Sequence, residues 1–176
     1  CDLTKPGTEY IPFASVDDTC RDISVTCIAP TKTFNLAGLQ TAAVYAENSI
    51  LHHRMWRQLN TDEVAEPNAF AIQATIAAFQ YGEEWLDELR EYVEKNKQYV
   101  TEFLQEKIPL IHPVAGDATY LMWLDCRKIT ESGRQFAKFI RKTSGLYVSG
   151  GNQYGKGGEG FLRVNVATSK LVVEDG

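Results

Sequence analysis

From Glu83 to Leu104 apolar side chains return at intervals of three, four and seven residues. Leu86, Leu89, Val93, Val100, Phe103 and Leu104 share one stripe, and Asp87, Glu88, Arg90, Glu91, Glu94 and Lys95 face the other way. That period belongs to an amphipathic α-helix, so any fold open to this chain must offer an apolar surface for the stripe. Glu91 and Lys95 stand four apart in the order that adds about 0.2–0.5 kcal/mol to a helix, and the charged side reads as a solvated face. Pro109 lies just past the end of the pattern.

Other elements can be placed around this helix. Ser24–Ile28 and Leu39–Ala46 read as strands, because Val25, Ile28, Val44 and Tyr45 sit among Thr and Ala with no charge between them. Ser49 to Asn60 is a helix capped by Asn48 or Ser49. Residues 61–68 are polar and proline-punctuated and form a connection. Ala69 to Tyr81, apolar and alanine-rich, suits a buried helix that Gly82 interrupts. Tyr120–Leu124 is long enough for one buried strand. Thr130 to Ser144 is a helix with Thr130 as N-cap, an apolar face of Phe136, Phe139 and Ile140, and Gly145 at its end. Arg141 and Lys142 in its last turn complement the helix dipole. Leu146–Val148 reads as a short strand and Phe161–Ala167 as a longer one. The expected organisation is 1–62 as the end of a larger domain, 63–107 as connecting helices, and 108–176 as a small α+β domain.

Composition narrows the function. With 18 Lys and Arg against 23 Asp and Glu the net charge is −5, which leaves no basic footprint for nucleic acid and no polybasic membrane patch. No apolar stretch approaches the roughly 20 residues that span a bilayer. The first residues lack the basic-then-apolar pattern of a signal peptide. Apolar residues make up 44%, enough for a core. Cys1, Cys20, Cys27 and Cys126 show no CxxC pairing and no metal-ligand spacing with His52, His53 or His112, so no metal site is expected. Free thiols in a reducing cytoplasm are the simplest reading.

Two charged residues sit in unusual surroundings. Ala29-Pro-Thr-Lys32-Thr-Phe-Asn-Leu-Ala-Gly38 sets one lysine in a short loop between the first two apolar runs. Partial desolvation there would favour the neutral amine, a nucleophile toward carbonyls that forms Schiff bases; an ordinary surface lysine is the other reading of the spacing. Strand alternation puts Phe161, Arg163, Asn165 and Ala167 on one face and Leu162, Val164 and Val166 on the other. Arg163 there either meets a carboxylate with its planar fork or faces water from an edge strand. Ser149–Gly160 is a glycine-rich loop followed by a strand, so it matches neither a P-loop nor a dinucleotide fingerprint. It reads as a flexible loop or as a mobile wall of a substrate site.

Ile23-Ser-Val-Thr-Cys-Ile-Ala-Pro-Thr-Lys-Thr-Phe-Asn-Leu-Ala-Gly-Leu-Gln40 resembles the cofactor-lysine region of fold-type I pyridoxal-phosphate enzymes, in the branch of cystathionine β-lyases and C–S lyases of class I/II aminotransferases. Cys1-Asp-Leu-Thr-Lys-Pro-Gly7 and Tyr10-Ile-Pro-Phe-Ala-Ser15 resemble the segment before that lysine. Gly160-Phe-Leu-Arg-Val-Asn-Val-Ala167 resembles the late strand with the substrate-carboxylate arginine. The resemblance implies an α/β fold: the C-terminal part of the fold-type I large domain plus a small α+β domain. It implies pyridoxal 5'-phosphate held by Lys32, with Thr31 donating to the phosphate and Arg163 anchoring the carboxylate of an amino-acid substrate, a sulfur-containing one in this branch. The implied reaction is α,β-elimination to pyruvate, ammonia and a thiol; transamination and a non-catalytic fragment are the alternatives. Relatives of this type are homodimers, and they place a glycine-containing phosphate loop and a ring-binding aspartate ahead of the position of Cys1, so the chain is expected to be a C-terminal half, inactive alone. Many aminotransferases of this fold carry an arginine eight residues after the lysine. Here that position is Gln40, which argues mildly against transamination and puts the neutralisation of the phosphate charge in doubt.

Overall fold

The computed structural model describes residues 2–176. Cys1, counted above among the free thiols and at the head of one family-like segment, lies outside the described residues. The chain divides into two compact units, one of Asp2 with Glu9–Glu88, the other of Leu3–Thr8 with Leu89–Gly176.

The first unit opens with helix α1 (Asp18–Ile23), capped by the Asp17 carboxylate, which accepts from Cys20 N at 2.7 Å. Strand β1 (Thr26–Ile28) and strand β2 (Ala43–Tyr45) pair antiparallel with Cys27 opposite Val44. Both are shorter than the sequence suggests. Pro30, which carries no N–H, begins helix α2 (Pro30–Thr33) just after β1, and a 3-10 turn occupies Ala37–Leu39 where the second strand was expected to start. Helix α3 (Ser49–Thr61) is capped by Asn48, whose Oδ1 accepts from Ile50 N and Leu51 N. Helix α4 (Ala71–Tyr81) ends at Gly82. A buried helix was expected here, yet Ala71 is its only fully buried residue and Phe70 and Tyr81 are three-quarters exposed or more. A helix apolar on all sides needs cover on all sides, and residues 2–88 supply it on part of one.

Helix α5 (Glu83–Lys107) follows the predicted period, with Val93, Asn96 and Leu104 buried and Glu91 paired to Lys95 at 3.7 Å. The second unit holds an antiparallel sheet in the order β3-β4-β6-β5: β3 (His112–Pro113), β4 (Leu121–Asp125), β5 (Ser149–Gly150) and β6 (Phe161–Asn165). Helix α6 (Gly133–Ser144) starts later than expected, because Ser132 is the cap while Thr130 Oγ1 accepts from Ser132 N one turn earlier. Gly145, left-handed at φ 84°, closes it. The third strand lies at 149–150, after the predicted Leu146–Val148. Helix α7 (Lys170–Asp175) closes the described chain. The core is one cluster in this unit: Val93, Leu104, Ile111, Met122, Leu124, Cys126, Val148, Leu162 and Val166. Residues 3–8 join the same unit through Lys5 N to Asp117 O and Thr119 N to Leu3 O, both 2.7 Å, and through Arg90, which donates to Thr4 O and Oγ1. Among the described residues no helix is long and apolar enough to cross a membrane.

Candidate active site

Lys32 does not lie in a loop. It occupies the four-residue helix α2, where Pro30 at the first position loses nothing by lacking an N–H and presets the backbone. Phe34 N closes the turn on Pro30 O at 2.9 Å. Two anchors hold the turn from outside. The buried Thr33 hydroxyl donates to Asp2 Oδ2 at 2.6 Å. Phe34 sits edge-on to Phe79, centroids 5.6 Å apart, and tilted against Trp85 at 5.9 Å. Gly82 makes room for that ring, since a Cβ there would collide with Phe34 Cε1. Nothing among the described residues covers Lys32. Its side chain is exposed, against the expected partial desolvation, while Thr31 beside it is half-buried.

Gln40 takes a left-handed conformation, φ 48°, at the end of the 3-10 turn after α2. With Pro30, Thr41, Ala43 and Thr75 it lines a cavity of about 310 Å³. The buried hydroxyl of Thr75 has no partner among the described residues.

Arg163 belongs to the other unit. It stands in the middle of β6 with Trp123 of β4 and Ser149 of β5 directly opposite on either side. Its face of the sheet is aromatic. The guanidinium carbon lies 4.3 Å from the centre of the Tyr154 ring. Trp123 meets Tyr154 edge-on at 5.8 Å and stacks on Phe161 at 5.6 Å. Arg127 covers the Phe161 ring at 4.9 Å. Among the described residues no carboxylate or carbonyl accepts from the Arg163 guanidinium. The opposite face of β6 is the core, Leu162 being 2% exposed, as the alternation predicted.

The glycine-rich segment is built rather than slack: β5, then 3-10 turns at Gly151–Tyr154 and Lys156–Gly158. A Cβ on Gly151 would come within 2.9 Å of Trp123 Cη2 and would strike the carbonyl of Gly158. The loop thus crosses the aromatic face backbone-first and delivers Tyr154 to Arg163. Spacing and alternation left Lys32 and Arg163 open between site and surface, and the resemblance of their segments to the family's singled them out. Asp2, Thr33 and Tyr154 carried no local signal, because each acts through a partner distant in sequence or through a loop whose path only the glycines hint at.

The profile of the family described as aminotransferase class I and II matches residues 9–174, and the chain belongs to that family. Along 99% of its length it is 39% identical to cystathionine beta-lyase PatB of Bacillus subtilis and 31% identical to protein MalY of Escherichia coli. It spans about 45% of the length of the curated relatives it matches. Among solved structures it resembles cystalysin of Treponema denticola, whose crystals contain pyridoxal 5'-phosphate, at TM-score 0.94 and 27% identity over 99% of this chain and 44% of that one. It also resembles the C–S lyase of Staphylococcus hominis, bound to the same cofactor and to L-cycloserine, at TM-score 0.87 and 32% identity over 99% and 42%. The mixed α/β architecture is thus the C-terminal part of a pyridoxal-phosphate-dependent aminotransferase fold.

Proposed function

We propose that the full-length protein carrying this chain is a pyridoxal-phosphate-dependent C–S β-lyase that cleaves cystathionine- or cysteine-type amino acids to pyruvate, ammonia and a thiol. The observation that carries this is 39% identity along 99% of the chain to a protein named cystathionine beta-lyase. Residues here fit the cofactor. An amine locked in an ion pair could not attack an aldehyde, and Lys32 has no ion pair among the described residues. Its turn is fixed by Pro30, Thr33 and Phe34, so the amine is presented from a rigid base. Thr31 offers a half-buried hydroxyl one residue away, suited to a phosphate oxygen. When bound, the cofactor supplies an electron sink for a carbanion at Cα.

The chain's own groups do the rest. Lys32 would hold the cofactor through Nζ, and the same nitrogen would take up the Cα proton of the substrate. Arg163 holds the α-carboxylate with two parallel N–H donors, which fixes orientation as well as place. Gln40 is neutral, so its amide could meet the phosphate by a hydrogen bond but would not offset its charge. The same reading makes the full-length protein a cytoplasmic homodimer; Cys20 and Cys27, both free thiols, are consistent with a reducing compartment.

The test is Lys32→Ala in the full-length protein. Elimination and the visible absorbance of bound cofactor are both expected to disappear; sustained pyruvate release by that variant would overturn the assignment. Pyruvate formed by the wild type without any added 2-oxo acid separates a lyase from an aminotransferase, and strict dependence on a 2-oxo acid would replace the first with the second.

A further inference from the structure

We infer that Tyr154 is a positioning residue for Arg163, its ring setting the plane in which the guanidinium presents its donors to a substrate carboxylate. The inference rests on the reading of Arg163 as the carboxylate partner. The ring centre is 4.3 Å from the guanidinium carbon, well inside the roughly 6 Å reach of a cation–π contact. A long side chain on a strand sweeps a wide arc unless something holds it, and among the described residues Arg163 has no acceptor to do so.

The kind of restraint matters. A salt bridge would occupy the edge of the guanidinium, where the N–H groups point. An aromatic ring holds the cation without accepting its N–H groups in the way a carboxylate would, and so leaves those donors for the two parallel hydrogen bonds that a substrate carboxylate needs. Tyr154 is itself held. Trp123, the residue directly opposite Arg163, presses edge-on against it, and Gly151 lets the loop lie on Trp123 with no room for a Cβ. Its hydroxyl makes no hydrogen bond among the described residues, so the ring is the part assigned the role.

The experiment compares Tyr154→Leu, Tyr154→Phe and Arg163→Ala in the full-length protein. S-methyl-L-cysteine is the substrate, and butanoate, a carboxylate without an amino group, is the competitive inhibitor. Tyr154→Leu should raise both KM and the butanoate inhibition constant about 5- to 30-fold, equivalent to about 1–2 kcal/mol at 1.4 kcal/mol per decade, with kcat within about twofold of wild type. Tyr154→Phe keeps the ring and should leave both constants within about twofold. In the Arg163→Ala background Tyr154→Leu should add nothing, since the group it orients is gone. If Tyr154→Leu does not fold, Tyr154→Met carries the same expectation. Unchanged constants in Tyr154→Leu beside a damaged Arg163→Ala would overturn the positioning role, and so would equal damage in Tyr154→Phe. Unchanged constants in Arg163→Ala would instead overturn the reading of Arg163 itself.

Discussion

Asp125 takes three hydrogen bonds from one neighbour: Arg127 N and Nε reach Oδ1 at 3.0 Å, and Nη2 reaches Oδ2 at 2.7 Å. These donors favour the ionised form and hold its carboxyl at about 2, against an ordinary value of 3.8. A folded-state value below the unfolded one means stability that is present above about pH 4 and is lost as pH falls toward 2. Arg127 is 64% exposed, so water screens the pair and its contribution to stability is small. Wild type should be slightly more stable than Asp125→Asn near neutral pH in denaturant titrations, the difference closing as pH falls toward 2; a constant difference across the range would assign the effect to packing. Cys126 shows the opposite pressure, burial pushing its thiol up to about 11. At this scale the charge amid apolar neighbours drew notice to Lys32 and Arg163 without deciding their role; the resemblance of the segments around them is what singled them out. The sequence could not mark Thr33 and Asp2, whose hydrogen bond joins positions 31 residues apart.

Elements were read with uneven success, for a physical reason. Helix α5 follows its stripe except at Phe103, which is 45% exposed, because a 3.6-residue period sustained over 25 residues leaves little ambiguity. Strands β1 and β2 shrank to three residues each, since pairing length depends on where the partner turns away and not on apolarity. The glycine-rich loop was open between slack and wall. Its two 3-10 turns and the crossing of Gly151 over Trp123 and Phe161 show a packed segment. Gly151→Ala therefore has to displace the Gly158 carbonyl together with the indole and Phe161 beside it, and overpacking of that kind costs about 1–3 kcal/mol. A lowered Tm is expected, together with a raised KM because Tyr154 moves with the loop; an unchanged Tm would mean that the loop lifts off the sheet at no cost.

The two units of the molecule differ in what they bury. All nine residues of the core cluster belong to the unit built on the four-stranded sheet. The other unit exposes Phe13, Ile23, Ile50, Trp56, Phe70 and Tyr81, each more than half accessible. A two-stranded ribbon with little beneath it is marginal in water. Amide exchange in the 176-residue chain should therefore be slow at Met122, Leu124, Leu162 and Val164 and fast at Cys27 and Val44. Equal protection in both would show that the ribbon draws stability from elsewhere.

Asn96, 3% exposed on α5, donates from its amide to Val166 O at 2.9 Å and to Thr168 O at 3.0 Å. Those carbonyls lie one and three residues past the end of β6, the strand that bears Arg163, so the helix works as a peg just beyond that strand. A slip by one pleat would pull both acceptors away from the buried Asn96 amide and tear the peg out. Arg163, the proposed carboxylate anchor, is thus confined to one address along the sheet, beneath the loop that carries Tyr154.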